Sequence, residues 1–408
     1  MSAHVSISIS GAAPAVSRST LAQSIGFFFA FRIFFVLLTV RIFGQDAQVG
    51  VAASLAVNYL LLLIAVFCSA GQGTRSLSSI LTMPGMRWVE IFFCFTAASL
   101  CWSATSSMAA AVAFWCAMAA DAMMVILLLR SGPMDTMVSG LMQGYVWGAC
   151  LIATIAWLLP SQSDLRLGDE ELLGPNQIGY ACAFAFFFVQ YLMREEGGGW
   201  KLQAILLGLT LLRSLSKTTI VAFLVAQAFI LARDRSIKAK TKWLVAAFAI
   251  GITVAFSGLL TKYYDVYTNA GNQSETLTGR LGLWAYFFAE AIQTPWLGHG
   301  FHSVWKIVPV FGPDMFQARH AHNEILQQFY AYGVVGVVML IGIYGSVYRR
   351  LLQLEVSPQK VLFIGMLLFV LIRGLADTEP FDLSLPMWTI VMIAAVTQQL
   401  QRKRRALS

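Results

Sequence analysis

Four of the five histidines in the chain fall within one segment, at positions 299, 302, 320 and 322. Imidazole is the side chain best suited to exchange a proton near neutral pH, so this clustering is the main chemical signal in the sequence. Two other interpretations stay open. The histidines are also compatible with an ordinary loop at an interface. The pairs His299-x-x-His302 and His320-x-His322 further suggest a zinc site, although no nearby cysteine or well-spaced carboxylate completes it.

Four cations lie at or near the ends of apolar segments, on the side of the chain that carries the histidines. They are Arg213, Lys217, Arg280 and Arg373. Basic groups in such places are usually kept for an anion or a carboxylate partner. A diphosphate is one such anion, and arginine suits it because its planar guanidinium holds two phosphate oxygens at once. In the alternative interpretation the cations pair with Asp377, Glu379 or Glu324.

The elements that must position these residues are membrane helices. Of the 408 residues 58% are hydrophobic and only 12% charged, and apolar runs long enough to cross a hydrocarbon core of about 30 Å recur throughout. In lipid the backbone N–H and C=O groups must form hydrogen bonds within the segment, as they do in a helix. The alternation of polar and apolar residues that membrane strands show is absent. We predict an all-α, polytopic membrane protein with about twelve transmembrane helices. They are predicted at 24–43, 51–70, 88–102, 108–129, 136–159, 177–193, 200–214, 217–232, 243–260, 323–348, 360–373 and 386–400.

Lysine and arginine set the orientation of this single integral-membrane domain, residues 1–408. Most of the 28 basic residues fall on connections that share one side if the N-terminus is cytoplasmic, above all the tract 233–242. Residues 261–322 then form a loop on the outer side of the membrane, between the ninth and tenth helices. A loop this long is expected to contain helices, and 278–290 is the best candidate. The net charge of +8 reflects this topology and anionic lipid rather than nucleic acid.

Two features inside the apolar runs favour structural roles. Asp121 lies in the middle of a predicted span. A single carboxylate in such a place more often has a structural role, through hydrogen bonds to its neighbours, than a role in a proton pathway. The six cysteines all fall in apolar runs and show no metal or disulfide spacing, which is typical of packing.

A set of short motifs follows one order along residues 170–345. They are Leu173-Gly-Pro-Asn-Gln177, Ser216-Lys-Thr218, Thr278-Gly-Arg280 with Trp284, Pro295-Trp-Leu-Gly-His-Gly300, Ala321-His-Asn323 and Gly333-x-x-Gly336. Each is weak alone, but the ordered set resembles the O-antigen ligase and polymerase superfamily of bacterial membrane glycosyltransferases. Outside this region the resemblance rests on hydropathy.

The resemblance implies a metal-independent glycosyltransferase without a cofactor. It also implies a bacterial inner-membrane location, with residues 261–322 as a periplasmic loop. Its donor would be an undecaprenyl-diphosphate-linked glycan, whose anomeric carbon is attacked by an acceptor hydroxyl while the lipid diphosphate leaves. By position, Arg280 would bind the diphosphate and His322 would activate or orient the hydroxyl. Lys217 stands where the family often has arginine, which keeps the charge and loses the two-pronged geometry. The other predicted substrate-binding residues are Arg213, His320 and Arg373.

The leading functional prediction is a polymerase that joins lipid-linked repeat units in exopolysaccharide or O-antigen synthesis. An O-antigen ligase, whose acceptor is lipid A-core, is the alternative within the same chemistry, and a polysaccharide or lipid-linked sugar transporter is the alternative of another class. The partners implied are the lipid-linked donor, a glycan or lipid A-core acceptor and membrane lipid, with a chain-length regulator in the polymerase case. On a helix His320 and His322 would point about 200° apart, so only one of them could face the site. His322 is favoured as the base because it immediately precedes a predicted span, lies in Ala321-His-Asn323 and shares the outer loop with Arg280.

Overall fold

The fold consists almost entirely of helices. The computed structural model describes residues 15–70, 75–160, 162, 165–169, 172–255, 258, 261, 277–304, 310–311, 316–317 and 320–407. In these ranges the exception is one antiparallel pair of two-residue strands, β1 (Val310–Phe311) and β2 (Phe316–Gln317). The predicted all-α class is therefore confirmed.

Fifteen α-helices, numbered here in chain order, lie in the described ranges. They are α1 (Ala15–Phe31), α2 (Phe34–Arg41), α3 (Ala47–Ala70), α4 (Leu77–Leu81), α5 (Met86–Ser99), α6 (Met108–Ser131), α7 (Met134–Leu158), α8 (Pro175–Glu195), α9 (Lys201–Arg213), α10 (Lys217–Arg233), α11 (Ala239–Ala255), α12 (Leu277–Ala291), α13 (Glu324–Gln353), α14 (Pro358–Gly374) and α15 (Met387–Leu407). Every predicted span has a helix at its place. The helix expected at 278–290 is also present, as α12.

Four helices are long and apolar enough to cross a membrane: α3, α6, α7 and α13. A fifth crossing arises if α1 and α2, which meet at a 65° bend, count as one broken span. The chain is thus a multi-pass membrane protein as far as its described helices show. The count of about twelve spans and the periplasmic place of residues 261–322 stay predictions.

Glycines allow α1 and α7 to pack with their backbones in contact. A Cβ atom at Gly26 would lie 1.9 Å from the carbonyl oxygen of Leu141, and one at Gly144 would lie 1.9 Å from that of Gln23. Small residues at helix interfaces permit this close approach, which provides van der Waals contact where lipid offers no hydrophobic driving force.

A polar network joins the bend of the first span to its neighbours. Asp121 on α6 is buried and accepts hydrogen bonds from Arg32, at the bend, and from Asn58 Nδ2 on α3, at 2.8 Å. A buried carboxylate is tolerated when it is paired and hydrogen-bonded in this way. Asp121 thus has the structural surroundings favoured from the sequence. None of the six cysteines forms a disulfide.

A break in α13 receives the segment that follows α12. Gly333 has φ +64°, in the left-handed region, and a Cβ there would lie 2.6 Å from the carbonyl oxygen of Pro295. That oxygen accepts a hydrogen bond from Val334 N at 2.8 Å, and Gly300 N donates to the Ala331 carbonyl, also at 2.8 Å. Backbone groups released by the break are therefore satisfied by the incoming segment.

The glycine contacts generate a prediction about stability. Gly144→Ala should lower the midpoint of thermal unfolding in detergent, because overpacking of a close contact costs about 1–3 kcal/mol. The matched control is Gly208→Ala on α9, where a Cβ would meet only Phe186 at an ordinary 3.6 Å. Both changes raise helix propensity equally, so a difference between them reports the packing alone. Equal midpoints for the two variants would contradict the α1–α7 contact.

Candidate functional site

The predicted site residues meet at one carboxylate. Asp377 lies in the loop 375–386 between α14 and α15 and is buried. Its Oδ1 atom lies 3.2 Å from His322 Nδ1 and 3.3 Å from His320 Nε2, and its Oδ2 atom accepts a hydrogen bond from Arg373 Nη2 at 3.0 Å. We refer to these four residues as the Asp377 cluster.

Local structure explains why the two parts of the cluster meet. Arg373, in the last turn of α14, and Asp377 are four residues apart and form an ion pair. Asn323 caps α13, since its Oδ1 accepts from Leu326 N at 2.9 Å, and its Nδ2 donates to the Leu375 carbonyl at 3.0 Å. One capping residue therefore begins the helix and fastens the histidines to the Asp377 loop.

A buried glutamate anchors the same loop to α13. Glu324 Oε1 accepts hydrogen bonds from Tyr344 Oη and from Ser384 N, both at 2.7 Å. A Cβ at Gly374 would lie 2.7 Å from Glu324 Oε2, so α14 ends against this carboxylate. In the described contacts Glu324 holds the loop, and no ion pair joins it to the cations that were predicted as its alternative partners.

Both histidines face Asp377, and the prediction that they point apart is wrong. That prediction assumed a helix, whereas α13 begins only at Glu324 and His322 has φ +50°. The left-handed backbone at His322 turns its ring toward that of His320, with ring centroids 4.0 Å apart. Sequence spacing alone could not reveal this reversal, because non-glycine residues seldom adopt it.

The charges of the cluster define the state of His322. Burial alone would raise the pKa of Asp377, but Arg373 and the hydrogen bonds from both imidazoles outweigh it and hold this pKa well below its usual range. Burial, together with repulsion from His320, lowers the pKa of His322 to about 4 against the opposing attraction of Asp377. At neutral pH His322 is therefore uncharged. Since an ionised carboxylate only accepts hydrogen bonds, Nδ1 carries the proton and Nε2 has a lone pair to accept one.

Arg280 borders the cluster. Its Nη1 donates to the carbonyl oxygen of Ala376, the residue before Asp377, at 2.5 Å. One turn further along α12, Trp284 Nε1 donates to the Ala321 carbonyl, between the two histidines, at 2.9 Å. Helix α12 thus contacts both segments of the cluster and brings together the two residues predicted to be catalytic.

Arg373 has carboxylate partners, as the alternative interpretation proposed. Besides Asp377, its Nη2 lies 3.0 Å from Glu379 Oε1, and its guanidinium sits 4.2 Å from the centre of the Tyr180 ring. Its side chain is only 3% exposed. Arg373 is therefore well placed to orient Asp377, while its direct role in substrate binding stays a prediction.

Arg213 and Lys217 lie in a neighbouring part of the fold. Arg213 Nη1 donates to the Leu165 carbonyl at 2.5 Å, and Lys217 is exposed at the first residue of α10. Ser216, just before it, donates to Asn176 Oδ1 at 2.8 Å. Asn176 is one helical turn, about 6 Å, from Tyr180 on α8. One described route from this region to the cluster therefore runs from Ser216 through Asn176 to Tyr180 on α8.

The four-histidine zinc site is not formed. His299 stacks on Tyr330 with ring centroids 4.5 Å apart, and His302 stacks on Phe381 at 4.8 Å, with Nδ1 2.8 Å from Thr105 Oγ1. Instead Asp377, 55 positions beyond His322, completes a set with the other two histidines. Sequence reasoning named Asp377 only as a partner for a cation. The one local feature of the sequence that pointed to Asp377 was its four-residue spacing from Arg373, which is typical of an ion pair.

A cavity of about 290 Å³ adjoins the cluster between α1, α3, α6, α8 and the 375–386 loop. Glu379, which bonds to Arg373, lines its wall together with Asp382, Tyr180 and Phe381. Arg32 lines it as well. The cavity combines apolar walls with a few polar groups, as small-molecule sites commonly do.

Comparison with known proteins confirms the resemblance to the O-antigen ligase superfamily. The family model described as O-Antigen ligase matches residues 202–341, which include Arg280 and His322. The chain is also 29% identical, over 177 residues, to a protein of Pseudomonas aeruginosa named O-antigen ligase. That match covers 43% of this chain and 40% of the relative.

The cluster predicts a strong dependence of stability on Asp377. Asp377→Asn should lower the thermal midpoint markedly, because removing one charge of a buried pair costs about 3–5 kcal/mol. Asp46→Asn is the matched control, since Asp46 is exposed and the described hydrogen bond of its carboxylate is a local one, from Gln48 N at 3.0 Å. An Asp377→Asn variant as stable as the Asp46→Asn variant would show that the ion pair is not buried as described.

Proposed function

We propose that the chain is a membrane glycosyltransferase that moves a glycan from an undecaprenyl-diphosphate-linked donor to an acceptor hydroxyl. The observation that carries this proposal is the convergence of three groups. A neutral imidazole, His322, is hydrogen-bonded to an orienting carboxylate, Asp377, and Arg280 bonds to the carbonyl oxygen of the residue before that carboxylate. The match to the O-antigen ligase model spans the first and last of these residues, and it supports the chemical class.

In the proposed reaction the acceptor oxygen attacks the anomeric carbon of the donor. The bond between that carbon and the diphosphate oxygen breaks, and the lipid diphosphate leaves with the electron pair. His322 Nε2 takes the proton of the acceptor hydroxyl, while Asp377 accepts the hydrogen bond from Nδ1 and stabilises the imidazolium as it forms. Arg280 stabilises the negative charge that develops on the leaving diphosphate.

Arg280 also couples donor binding to the base. Its positive charge contributes to the low pKa of His322, after the larger effects of burial and of His320. A diphosphate bound to Arg280 would neutralise that charge and add negative charge beside the imidazole. The pKa of His322 should then rise toward neutrality, which makes it a better base once donor is present.

The proposed location is the bacterial inner membrane, with the cluster on the periplasmic side. Lysines and arginines concentrate on the connections opposite to residues 261–322, which supports this orientation. In this arrangement about twelve spans surround the donor lipid, and the outer cations supply the charge stabilisation that a metal ion supplies in other transferases. The reaction is accordingly proposed to need no metal.

The identity of the acceptor separates a ligase from a polymerase. The sequence favoured a polymerase, whereas both the family model and the Pseudomonas aeruginosa relative carry the name O-antigen ligase. We therefore favour lipid A-core as the acceptor over a growing glycan chain. A chain-length regulator would be a partner only of a polymerase. The transporter alternative lacks support of this kind, because the sequence shows no internal repeat and its polar residues concentrate at the outer face.

Deletion of the gene and gel analysis of surface glycans tests the acceptor. A ligase predicts the loss of all glycan-capped lipid A-core, with lipid-linked chains retained. Loss of long chains with single capped units retained would identify a polymerase instead. An unchanged glycan pattern would contradict transfer by this chain, and loss of surface glycan with donor accumulating on the inner leaflet would indicate a transporter.

Substitution of Arg280 tests the diphosphate site. Arg280→Ala should abolish transfer at normal protein level, and Arg280→Lys should recover only part of it, because a point charge replaces a two-pronged contact. Arg350→Ala, at the far end of α13, is the matched control, since Arg350 bonds to Gln353 at 3.1 Å. Normal transfer by Arg280→Ala would refute the assignment, and a fall in protein abundance would indicate a structural role.

Substitution of the histidines tests the base. His322→Ala should reduce transfer by about 10²–10⁴-fold while donor binding is retained, because other residues hold the diphosphate. His320→Ala should be milder, since it removes only one of the bonds that position Asp377. His299→Ala is the control outside the cluster. If His320→Ala is the inactive variant, the roles are exchanged, and if both remain active, no histidine base is needed.

A further inference from the structure

Three potential metal ligands converge in the Asp377 cluster. Among the described residues, His320, His322 and Asp377 each offer one donor atom, and the three atoms lie within 4.8 Å of one another. The two nitrogens are 3.3 Å and 3.2 Å from Asp377 Oδ1. Ligands of a tetrahedral zinc ion, bound at about 2.0–2.1 Å, stand about 3.4 Å apart. Two of the three distances between ligand atoms are therefore already close to the separation that a tetrahedral zinc ion requires.

The chemistry and surroundings of the set also suit a transition-metal ion. Two imidazoles and one carboxylate form a ligand set typical of zinc sites that keep a fourth position open for water or substrate. Arg373 bonds to the other oxygen of Asp377 and so orients it, as second-layer groups do around metal ligands. The side chain of His320 is 22% exposed, which leaves a route for an ion to enter.

We propose that His320, His322 and Asp377 form a binding site for zinc, or a transition-metal ion of similar size, and that the bound ion inhibits glycan transfer. Inhibition of transfer by the bound ion rests on the proposed function, whereas binding of the ion by these residues does not depend on it. On binding, the ion replaces the Nδ1 proton of His322 and the Nε2 proton of His320, and both protons pass to solvent.

The same geometry explains why such an ion inhibits. A metal on Nδ1 removes the hydrogen bond through which Asp377 stabilises the imidazolium. It also places positive charge on the ring whose Nε2 must accept the acceptor proton. One imidazole cannot serve as a metal ligand and as the base at the same time. Zinc and the acceptor proton thus compete for His322, and the site makes transfer sensitive to free zinc in the periplasm.

Direct binding tests the first half. Zn²⁺ alone is titrated calorimetrically into metal-stripped full-length protein in detergent, with a thermal melt of each variant to check folding. One site per chain is expected, and Zn²⁺ should raise the thermal midpoint of the wild type. His320→Ala should weaken binding by at least about tenfold, whereas His299→Ala, whose ring stacks on Tyr330, should bind as the wild type does. Folded wild type that fails to bind zinc, or folded His320→Ala with unchanged affinity, would overturn the site.

Transfer assays test the second half. A strong chelator should leave transfer intact, and Zn²⁺ should inhibit it over the concentration range in which it binds, with recovery on chelation. The residual transfer of His320→Ala should be insensitive to the same zinc. Loss of transfer on chelation with rescue by Zn²⁺ would overturn the inhibitory assignment. Zinc binding as predicted in a protein that shows no transfer under any condition would refute the proposed function and leave the metal site standing.

Discussion

The buried ion pair between Arg373 and Asp377 is the constraint on which the site depends. Two charges this deeply buried are tolerated only when they are paired and hydrogen-bonded. The pair fixes the start of the 375–386 loop at the end of α14, and it keeps Asp377 ionised so that it can only accept hydrogen bonds. The tautomer and orientation of His322 follow from that. The chemistry proposed for His322 therefore depends on Arg373, whose side chain is almost fully buried.

Several of the motifs that carry the family resemblance make packing and hydrogen-bond contacts between helices. The Pro295–Gly300 segment fills the break in α13 at Gly333, so two motifs far apart in the sequence form one packed joint. Trp284 and Asn323 then fasten α12 and the start of α13 to the residues around the histidines. These contacts hold Arg280 and His322, to which we assign the chemistry, in fixed relation, as the proposed transfer requires of its anion site and its base.

The positions of the helices could be predicted from the sequence, whereas the orientation of the histidine side chains toward Asp377 could not. Apolar runs report helices well, since each residue in lipid contributes to the signal locally. The cluster depends instead on a contact between His322 and Asp377 across 55 positions and on a left-handed backbone at His322. Neither leaves a local pattern. The sequence suggested a zinc site made of all four histidines. Among the residues that the structure describes, it is His320 and His322 that lie beside a carboxylate, Asp377, which belongs to another loop.

The most direct measurement is a cryo-electron microscopy structure of the chain in a nanodisc with an undecaprenyl-diphosphate-linked glycan bound. The account predicts that the diphosphate contacts the Arg280 guanidinium and that His322 Nε2 faces the anomeric carbon, with Asp377 still bonded to Nδ1. A diphosphate bound instead in the cavity beside Arg32, with His322 turned away from the sugar, would contradict it.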